Sequence, residues 1–155
     1  MPPGAPFSGC AFARRTCQKD RPMIQAFDHV VMTCANLDAT VDFYTRVLGM
    51  RLEVFGEPPK PQRKALRFGD QKLNLHQAGD KNVTDIYARN PTAGSLDLCL
   101  LAAVPLDEMI GNLKAQGVAI EVGPVKRTGA RWPIRSVYIR DPDQNLVEIA
   151  ERWQD

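Results

Sequence analysis

The amino-acid sequence predicts an α+β fold made of two paired βαβββ modules. The order strand, helix and further short strands occurs twice between residues 24 and 152. Short motifs also recur at constant spacing, since Leu96-Asp97 and Gly117-Val118 follow Asp28-His29 and Gly49-Met50 by 68 residues. Internal repetition fixes architecture, and two copies are too few for a solenoid. We therefore predict one domain over residues 23–152, with modules at about 24–79 and 95–152.

The first module begins with an alternating, β-branched strand that ends near Cys34. Asn36 offers a helix N-cap, and apolar residues then recur at helical spacing as far as Gly49, which favours a helix end. A proline-rich turn indicates a hairpin, and the turn at residues 69–71 precedes a last strand. The predicted strands are residues 27–34, 50–55, 64–68 and 72–77.

The second module repeats this order. A strand over residues 96–103 precedes a helix over 106–116, which Gly117 ends. We predict a strand at residues 118–122, followed by a connecting stretch rich in glycine and arginine. Strands at residues 136–140 and 145–150 complete the module.

Composition excludes several classes of function. The chain has 155 residues, 44% of them hydrophobic and 25% charged, as in ordinary globular proteins. Its net charge is +2 and no Lys/Arg run exceeds a pair, so the footprint of a nucleic-acid-binding protein is missing. No apolar stretch approaches the ~18 residues of a membrane helix. The four cysteines form no CxxC pair, which is typical of reduced thiols in an intracellular protein.

Residues 1–22 are expected to form a flexible extension. They contain four prolines and two glycines, and no acidic residue precedes Asp20. Their arginines are compatible with a mitochondrial presequence, but the prolines and the lack of helical periodicity favour a tail that carries no targeting signal. We therefore expect a cytoplasmic protein, with mitochondrial import as the alternative.

Four ionisable residues lie in strands that are otherwise aliphatic. His29 and Asp97 are on the first strand of each module, and His76 and Glu148 are on the last. Burying such groups is costly unless they are paired or ligated. Both histidines of the chain are in this set, and two imidazoles with a carboxylate suit a divalent ion that keeps positions open for substrate. We predict metal ligation by His29, His76 and Glu148. Asp97 is a fourth ligand, a partner of a ligand, or a pairing partner for a cation.

A second group of polar residues suggests a substrate-binding strand. Alternation puts Ser136, Tyr138 and Arg140 on one face. Arginine beside hydroxyl groups suits an anionic carboxylate, phosphonate or thiol conjugate. We expect Arg135, Ser136 and Tyr138 to bind substrate; an exposed loop with solvated arginines is the equally weighted alternative.

The chain resembles the vicinal oxygen chelate superfamily, of glyoxalase/bleomycin-resistance/dihydroxybiphenyl dioxygenase type. The resemblance covers about residues 24–152 and rests on the segments at residues 27–31, 43–50, 74–76 and 140–149. Residues 123–130 and 136–143 further resemble the group called glyoxalase domain-containing protein 5, although Arg131-Trp132 stands where that group usually has glycine.

This resemblance implies a divalent ion (Zn, Ni, Mn or Fe) between the paired modules, with His29 and Glu148 as ligands. It also implies a homodimer, and the site either closes within one chain or is shared across the dimer. It implies a lyase or isomerase of glyoxalase type acting on a small oxygen-chelating substrate, with Glu148 as ligand and base. The alternatives are fosfomycin-type epoxide opening or other metal-assisted chemistry on an anionic molecule, iron-dependent oxygen chemistry, and a non-catalytic binding protein.

Overall fold

A computed structural model describes residues 23–80 and 86–154. The predicted extension, with Cys10 and Cys17, lies outside the described residues. Within the described ranges, no helix has both the length and the apolar character to cross a bilayer. The elements, in chain order, are β1 (His29–Cys34), α1 (Leu37–Arg46), β2 (Arg51–Phe55), β3 (Arg63–Phe68), β4 (Gln71–Gln77), β5 (Asp97–Leu101), α2 (Leu106–Ala115), β6 (Val122–Thr128), β7 (Pro133–Arg140) and β8 (Leu146–Arg152).

The strands form two four-stranded sheets with the same topology. The order is β1-β4-β3-β2 in the first sheet and β5-β8-β7-β6 in the second. In each sheet the first strand is parallel to the last, while the other neighbours are antiparallel. The predicted α+β fold of two βαβββ modules is confirmed.

The start and end of α1 follow from local chemistry. The Asn36 side chain accepts hydrogen bonds from the backbone N–H groups of Asp38 and Ala39, each at 3.0 Å. These bonds satisfy two donors that have no partner within the helix. Gly49 follows the helix with φ of +68°, a conformation that favours glycine.

A single apolar core joins the two modules. Phe43 and Tyr44 of α1 pack with Leu66 and Leu73 of the first sheet in the same cluster as apolar residues of the second module. Polar contacts also cross between modules, since the Tyr44 hydroxyl donates to Asp141 Oδ2 at 3.1 Å in a buried position. The modules are therefore packed as one unit.

The prediction for β6 was wrong. Residues 118–121 are not a strand, and β6 instead occupies the glycine- and arginine-rich stretch that we expected to be a connection. Pairing with β7 shifts register between Val122 and Val125. Pro124 lies in that irregularity of an edge strand, where a missing N–H is tolerated.

Candidate functional site

Each sheet has an inner face, which we define as the face opposite its apolar, helix-packed side. In the first sheet, Met32, Leu66, Leu73 and Leu75 belong to the core that contains α1 residues, so the alternate residues form the inner face. The inner face of the first sheet comprises His29, Val31, Thr33, Arg51, Glu53, Phe55, Arg63, Ala65, Arg67, Lys72, Asn74 and His76. That of the second sheet comprises Asp97, Cys99, Leu101, Val122, Val125, Arg127, Ile134, Ser136, Tyr138, Arg140, Leu146, Glu148, Ala150 and Arg152.

Glu148 occupies the centre of the second inner face. It is in register with Cys99 on one side and Tyr138 on the other. Desolvation and the nearby Glu148 carboxylate raise the pKa of the Cys99 thiol to about 11. Desolvation also raises the pKa of Tyr138, although its hydrogen bond with Arg127 opposes the shift. The Glu148 carboxylate thus has a neutral thiol and a neutral phenol beside it at physiological pH.

Asn74 occupies the corresponding position in the first sheet. It is in register with Val31, two residues after His29, just as Glu148 is in register with Cys99, two residues after Asp97. Its side chain is 8% exposed. Sequence reasoning missed Asn74, although an amide between Leu73 and Leu75 is the same signal, a polar residue in an apolar strand, that singled out His76.

Three oxygens on the inner faces are buried without hydrogen-bond partners among the described residues: Asn74 Oδ1, Glu148 Oε1 and Ser136 Oγ. A buried polar atom left without a partner costs about 1–3 kcal/mol. Native proteins rarely accept this cost without a function, a bound ion or an ordered water. The three atoms therefore mark the positions where a ligand is most strongly indicated.

The structure does not bring His76 to His29. Their strands pair His29 with Lys72 and Thr33 with His76, so the two histidines are four residues apart along the strand direction. At ~3.3 Å per residue their Cα atoms are separated by roughly 13 Å, and side chains standing on one face keep that separation. His76 and Glu148 are both on the last strand of their module, but they are not equivalent, because the register makes His76 equivalent to Ala150.

His29 is at the beginning of β1, and its side chain is 41% exposed. Its Nδ1 lies 2.7 Å from Asp28 Oδ1, and this hydrogen bond is the main cause that lowers the pKa of Asp28. A carboxylate on one ring nitrogen orients the imidazole and leaves Nε2 available, as is usual for metal-bound histidines. Asp97, at the beginning of β5, is the equivalent residue of the second sheet.

The predicted substrate-binding residues are divided between two faces. Ser136 and Tyr138 are on the inner face, and Arg127 Nε donates to the Tyr138 hydroxyl at 3.1 Å. Arg135 is on the opposite face, where it binds Asp107 of α2 and Glu151 of β8. The expectation that Arg135 contacts substrate with Ser136 was therefore wrong, because adjacent strand residues point to opposite faces.

The predicted ligands form two half-sites rather than one cluster. His29 and Asn74 are on the first sheet, and Asp97 and Glu148 are on the second. Within residues 23–80 and 86–154, no three His, Cys, Asp or Glu residues are close enough to hold an ion. Nitrogen and oxygen donors of this kind fit a divalent cation. The donor atoms of these residues therefore suit such an ion. A complete site requires the inner face of a first sheet to meet the inner face of a second sheet.

A cavity of about 840 Å³ opens above the second half-site. Glu148 and Cys99 line it together with the apolar side chains of Leu101, Ile134 and Trp132. Its size is within the range of small-molecule sites, which are mostly apolar with a few polar groups. The second inner face can thus receive an organic ligand beside the Glu148 carboxylate.

Comparison with known proteins agrees with this architecture. The family model described as Glyoxalase/Bleomycin resistance protein/Dioxygenase superfamily matches residues 26–149. Glyoxalase domain-containing protein RDO1 of Mycosarcoma maydis is 44% identical over 138 residues, which are 89% of this chain and 74% of RDO1. The crystal structure of virulence protein STM3117 from Salmonella typhimurium matches with a TM-score of 0.78 and 41% identity, covering 85% of this chain and 100% of that one. Lactoylglutathione lyase GLX1 of Arabidopsis thaliana is 29% identical, with 81% of this chain and 44% of GLX1 covered.

Proposed function

The chain belongs to the glyoxalase/bleomycin resistance protein/dioxygenase superfamily, and from this premise we propose that it is a metal-dependent lyase or isomerase of glyoxalase type. Members of this superfamily often use divalent metals, and one distant relative is a lactoylglutathione lyase. The proposed substrate is a small molecule with two neighbouring oxygens that chelate the ion. Zn, Ni, Mn and Fe are the candidate metals.

One observation carries the proposal. Asn74 Oδ1 and Glu148 Oε1 are buried at equivalent register positions of the two sheets, and neither has a hydrogen-bond partner in the part of the chain that the structure describes. Each is accompanied by a polar residue at the beginning of the neighbouring strand, His29 in one sheet and Asp97 in the other. A ligand on a pseudo-twofold axis explains why the same position in both sheets carries a buried, unpaired oxygen. Unrelated burial of the two oxygens does not explain this agreement. We therefore propose these four residues as the metal-binding set, without His76.

The remaining side chains have separate roles. A bound divalent ion would polarise a substrate oxygen and make a neighbouring C–H proton more acidic. Glu148 is the proposed base, because its carboxylate could accept that proton once substrate displaces it from the ion. Ser136 Oγ and the Tyr138 hydroxyl can donate hydrogen bonds to substrate from the same face. Leu101 and Trp132 would keep water from the reacting atoms, since both line the cavity.

The two half-sites lead us to propose a homodimer in which a first inner face meets the second inner face of its partner. Apolar side chains on these faces remain accessible, with Val31 at 42% and Leu101 at 62%. In a twofold dimer each site would combine His29 of one copy with Glu148 of the other. The proposed site is incomplete without that partner.

Subunit mixing tests the dimer. His29→Gln and Glu148→Gln homodimers should both be inactive, because each variant damages both sites. After unfolding and refolding together at equal amounts, half of the dimers should carry one intact site, which gives about one quarter of wild-type activity. A mixture that remains inactive although heterodimers form would refute the shared site.

The activity test uses protein loaded separately with Zn, Ni, Mn or Fe(II) and a glutathione hemithioacetal as substrate. We expect turnover with at least one metal, abolished by a chelator and by Glu148→Gln. Glu108→Gln on the exposed surface of α2 is the matched control and should retain activity. No turnover with any of the four metals would overturn the glyoxalase assignment, and tight ligand binding without turnover would identify a binding protein instead.

A second candidate, metal-assisted opening of an epoxide on an anionic molecule, has its own support. Ser136 is fully buried with an unpartnered hydroxyl, and Arg127 and Tyr138 are hydrogen-bonded beside it on the same face. Hydroxyl and guanidinium donors are well suited to a phosphonate. Incubation with fosfomycin, alone and with thiols, distinguishes the two candidates, because a glyoxalase should leave fosfomycin intact.

A further inference from the structure

We propose that the inner face of the first sheet is an anion-binding wall, in which Arg63, Arg67 and Lys72 hold a carboxylate, phosphate or phosphonate group of the substrate. This inference rests on the proposed function only in assigning the anion to the substrate. The wall itself depends only on the charges and contacts of β2, β3 and β4.

The charges on this face are unbalanced. Residues that pair across the four strands form three rows on this face. One outer row contains Arg51, Arg67 and Lys72, and the other outer row contains Arg63. The central row contains Glu53, the only acidic residue among the inner-face positions of the four strands. These strand positions therefore hold four permanent cations and one carboxylate.

That carboxylate is already divided between two partners. Arg67 Nη1 lies 2.9 Å from Glu53 Oε2, and Lys72 Nζ lies 3.9 Å from Glu53 Oε1. These two cations, with Arg51, lower the pKa of Glu53, for which the hydrogen bond from Arg67 is the largest cause. Asp28, just before β1, also interacts with Lys72 and Arg67, so two carboxylates face these three cations and an excess of positive charge remains.

The other contacts of the group involve an aromatic ring. The guanidinium carbon of Arg63 and Nζ of Lys72 each lie 4.6 Å from the centre of the Phe55 ring. Such contacts hold a cation in place and leave its N–H donors free to bind an anion. Phe55 therefore draws two cations from opposite ends of the face towards each other.

An ordinary solvated basic surface does not explain these positions. The Lys72 side chain is only 23% exposed and Glu53 30%, so water screens their charges incompletely. The field is also felt by His76, whose pKa is lowered by desolvation and then by Arg63, against an opposing effect of Asp80. Grouped, half-buried cations of this kind are characteristic of sites that bind anions.

The position of the wall limits the length of the substrate. Lys72 and His76 flank Asn74 on the same face of β4, each two residues away. The Lys72 Nζ reaches across the sheet to Glu53 and the Phe55 ring, so a bound anion would lie over β2 and β3, to one side of Asn74. The inferred substrate therefore carries its anionic group a few bonds away from the chelating oxygens.

Anion binding can be measured on metal-free protein, so its failure is distinguishable from failure of the lyase activity. The probes are malonate, as a carboxylate, and inorganic phosphate, each titrated by calorimetry at low salt with a chelator present. We expect saturable binding of at least one anion in roughly the millimolar range. Comparing the two anions shows which headgroup the wall prefers.

Two variants and a matched control make the test specific. Lys72→Met and Arg67→Gln should each weaken binding about five- to tenfold. Lys64→Met is the control, because Lys64 is on β3 but on the helix side, where it binds Asp38 at 2.8 Å. It should bind the anion like wild type, and circular dichroism should show all variants folded.

The inference is overturned by any of three results. These are no saturable binding of either anion, an equal loss in the Lys64→Met control, or wild-type binding by folded Lys72→Met and Arg67→Gln proteins. A change in oligomeric state without a change in anion affinity would likewise contradict it, because the cations would then serve subunit contact.

Discussion

Replacing Asn74 with leucine should stabilise the metal-free protein while weakening metal binding. Asn74 is 8% exposed and its Oδ1 has no described hydrogen-bond partner. Removing a buried, unsatisfied carbonyl recovers part of the ~1–3 kcal/mol that such a group costs. Its register neighbours Val31 and Ala65 are not bulky, so a leucine of similar size should fit.

We estimate a net gain of about 1–2 kcal/mol in the free energy of unfolding. For a chain of this size, each 1 kcal/mol raises the melting temperature by about 2–4 °C. The assay is thermal and urea unfolding of wild type and variant with a chelator present, at equal protein concentration because assembly affects stability.

Asn145→Leu is the matched contrast, since Asn145 is also buried but fully hydrogen-bonded. Its Oδ1 accepts from Leu96 N at 2.8 Å and its Nδ2 donates to Asp141 Oδ2 at 2.8 Å. Leucine there would leave the Leu96 N–H unpaired and remove one of the four donors to Asp141, which should destabilise the protein by about 2–4 kcal/mol. Our reasoning is refuted if Asn74→Leu destabilises the metal-free protein as much as Asn145→Leu does.

Three further predictions concern the helix side and the junction between modules. Arg135→Gln should leave kcat and KM unchanged and lower the melting temperature slightly, because Arg135 binds carboxylates on the opposite face. A large change in KM would show that Arg135 contacts substrate after all. The hydrogen bond and charge of Arg135 lower the pKa of Asp107, so the stability from Asp107 is present above its unfolded pKa and is lost as pH falls through the lower folded value. Wild type should therefore lose more stability than Asp107→Asn between pH 5 and pH 2, as measured by urea unfolding. Tyr44→Phe removes a buried hydroxyl from the Asp141 carboxylate and should cost about 1–2 kcal/mol in calorimetry, since three other donors remain on Asp141; no change would show that this bond does not couple the modules.

Sequence patterns predicted the features that depend on local chemistry. The Asn36 cap, the helix end at Gly49 and the repeated order of elements all follow from residues close together in the chain. The fold class was therefore accessible without a structure. The same patterns placed His29, Asp97 and Glu148 on the strands that carry the candidate site.

The register of the last strands was not predictable in the same way. Two residues separate β3 from β4, whereas five separate β7 from β8. An Asp-Gln pair occurs before both last strands, as Asp70-Gln71 and Asp143-Gln144. Because the two connections differ in length, the pair does not align the residues of β4 with those of β8. Asn74 and His76 are two residues apart on β4, so both lie on the same face. In the sequence, His76 therefore looked as suitable a ligand as Asn74.

The errors at β6 and Arg135 have different causes. The glycine- and arginine-rich composition suggested a connection, but an edge strand accommodates Gly123-Pro124 through a shift in register. Arg135 was selected for its charge among neighbouring arginines, although alternation from Ser136 already put it on the other face. The anion-binding wall was missed because it depends on three strands that are brought together only by the sheet.

The central claim, that His29, Asn74, Asp97 and Glu148 hold a divalent ion while His76 does not, is tested most directly by equilibrium titration of metal-free protein with Co²⁺. We predict saturable binding by wild type, at least about tenfold weaker binding by His29→Gln and Glu148→Gln, and wild-type affinity for His76→Gln. A His76→Gln protein that loses as much affinity as His29→Gln, or wild type that binds no Co²⁺, would contradict the account.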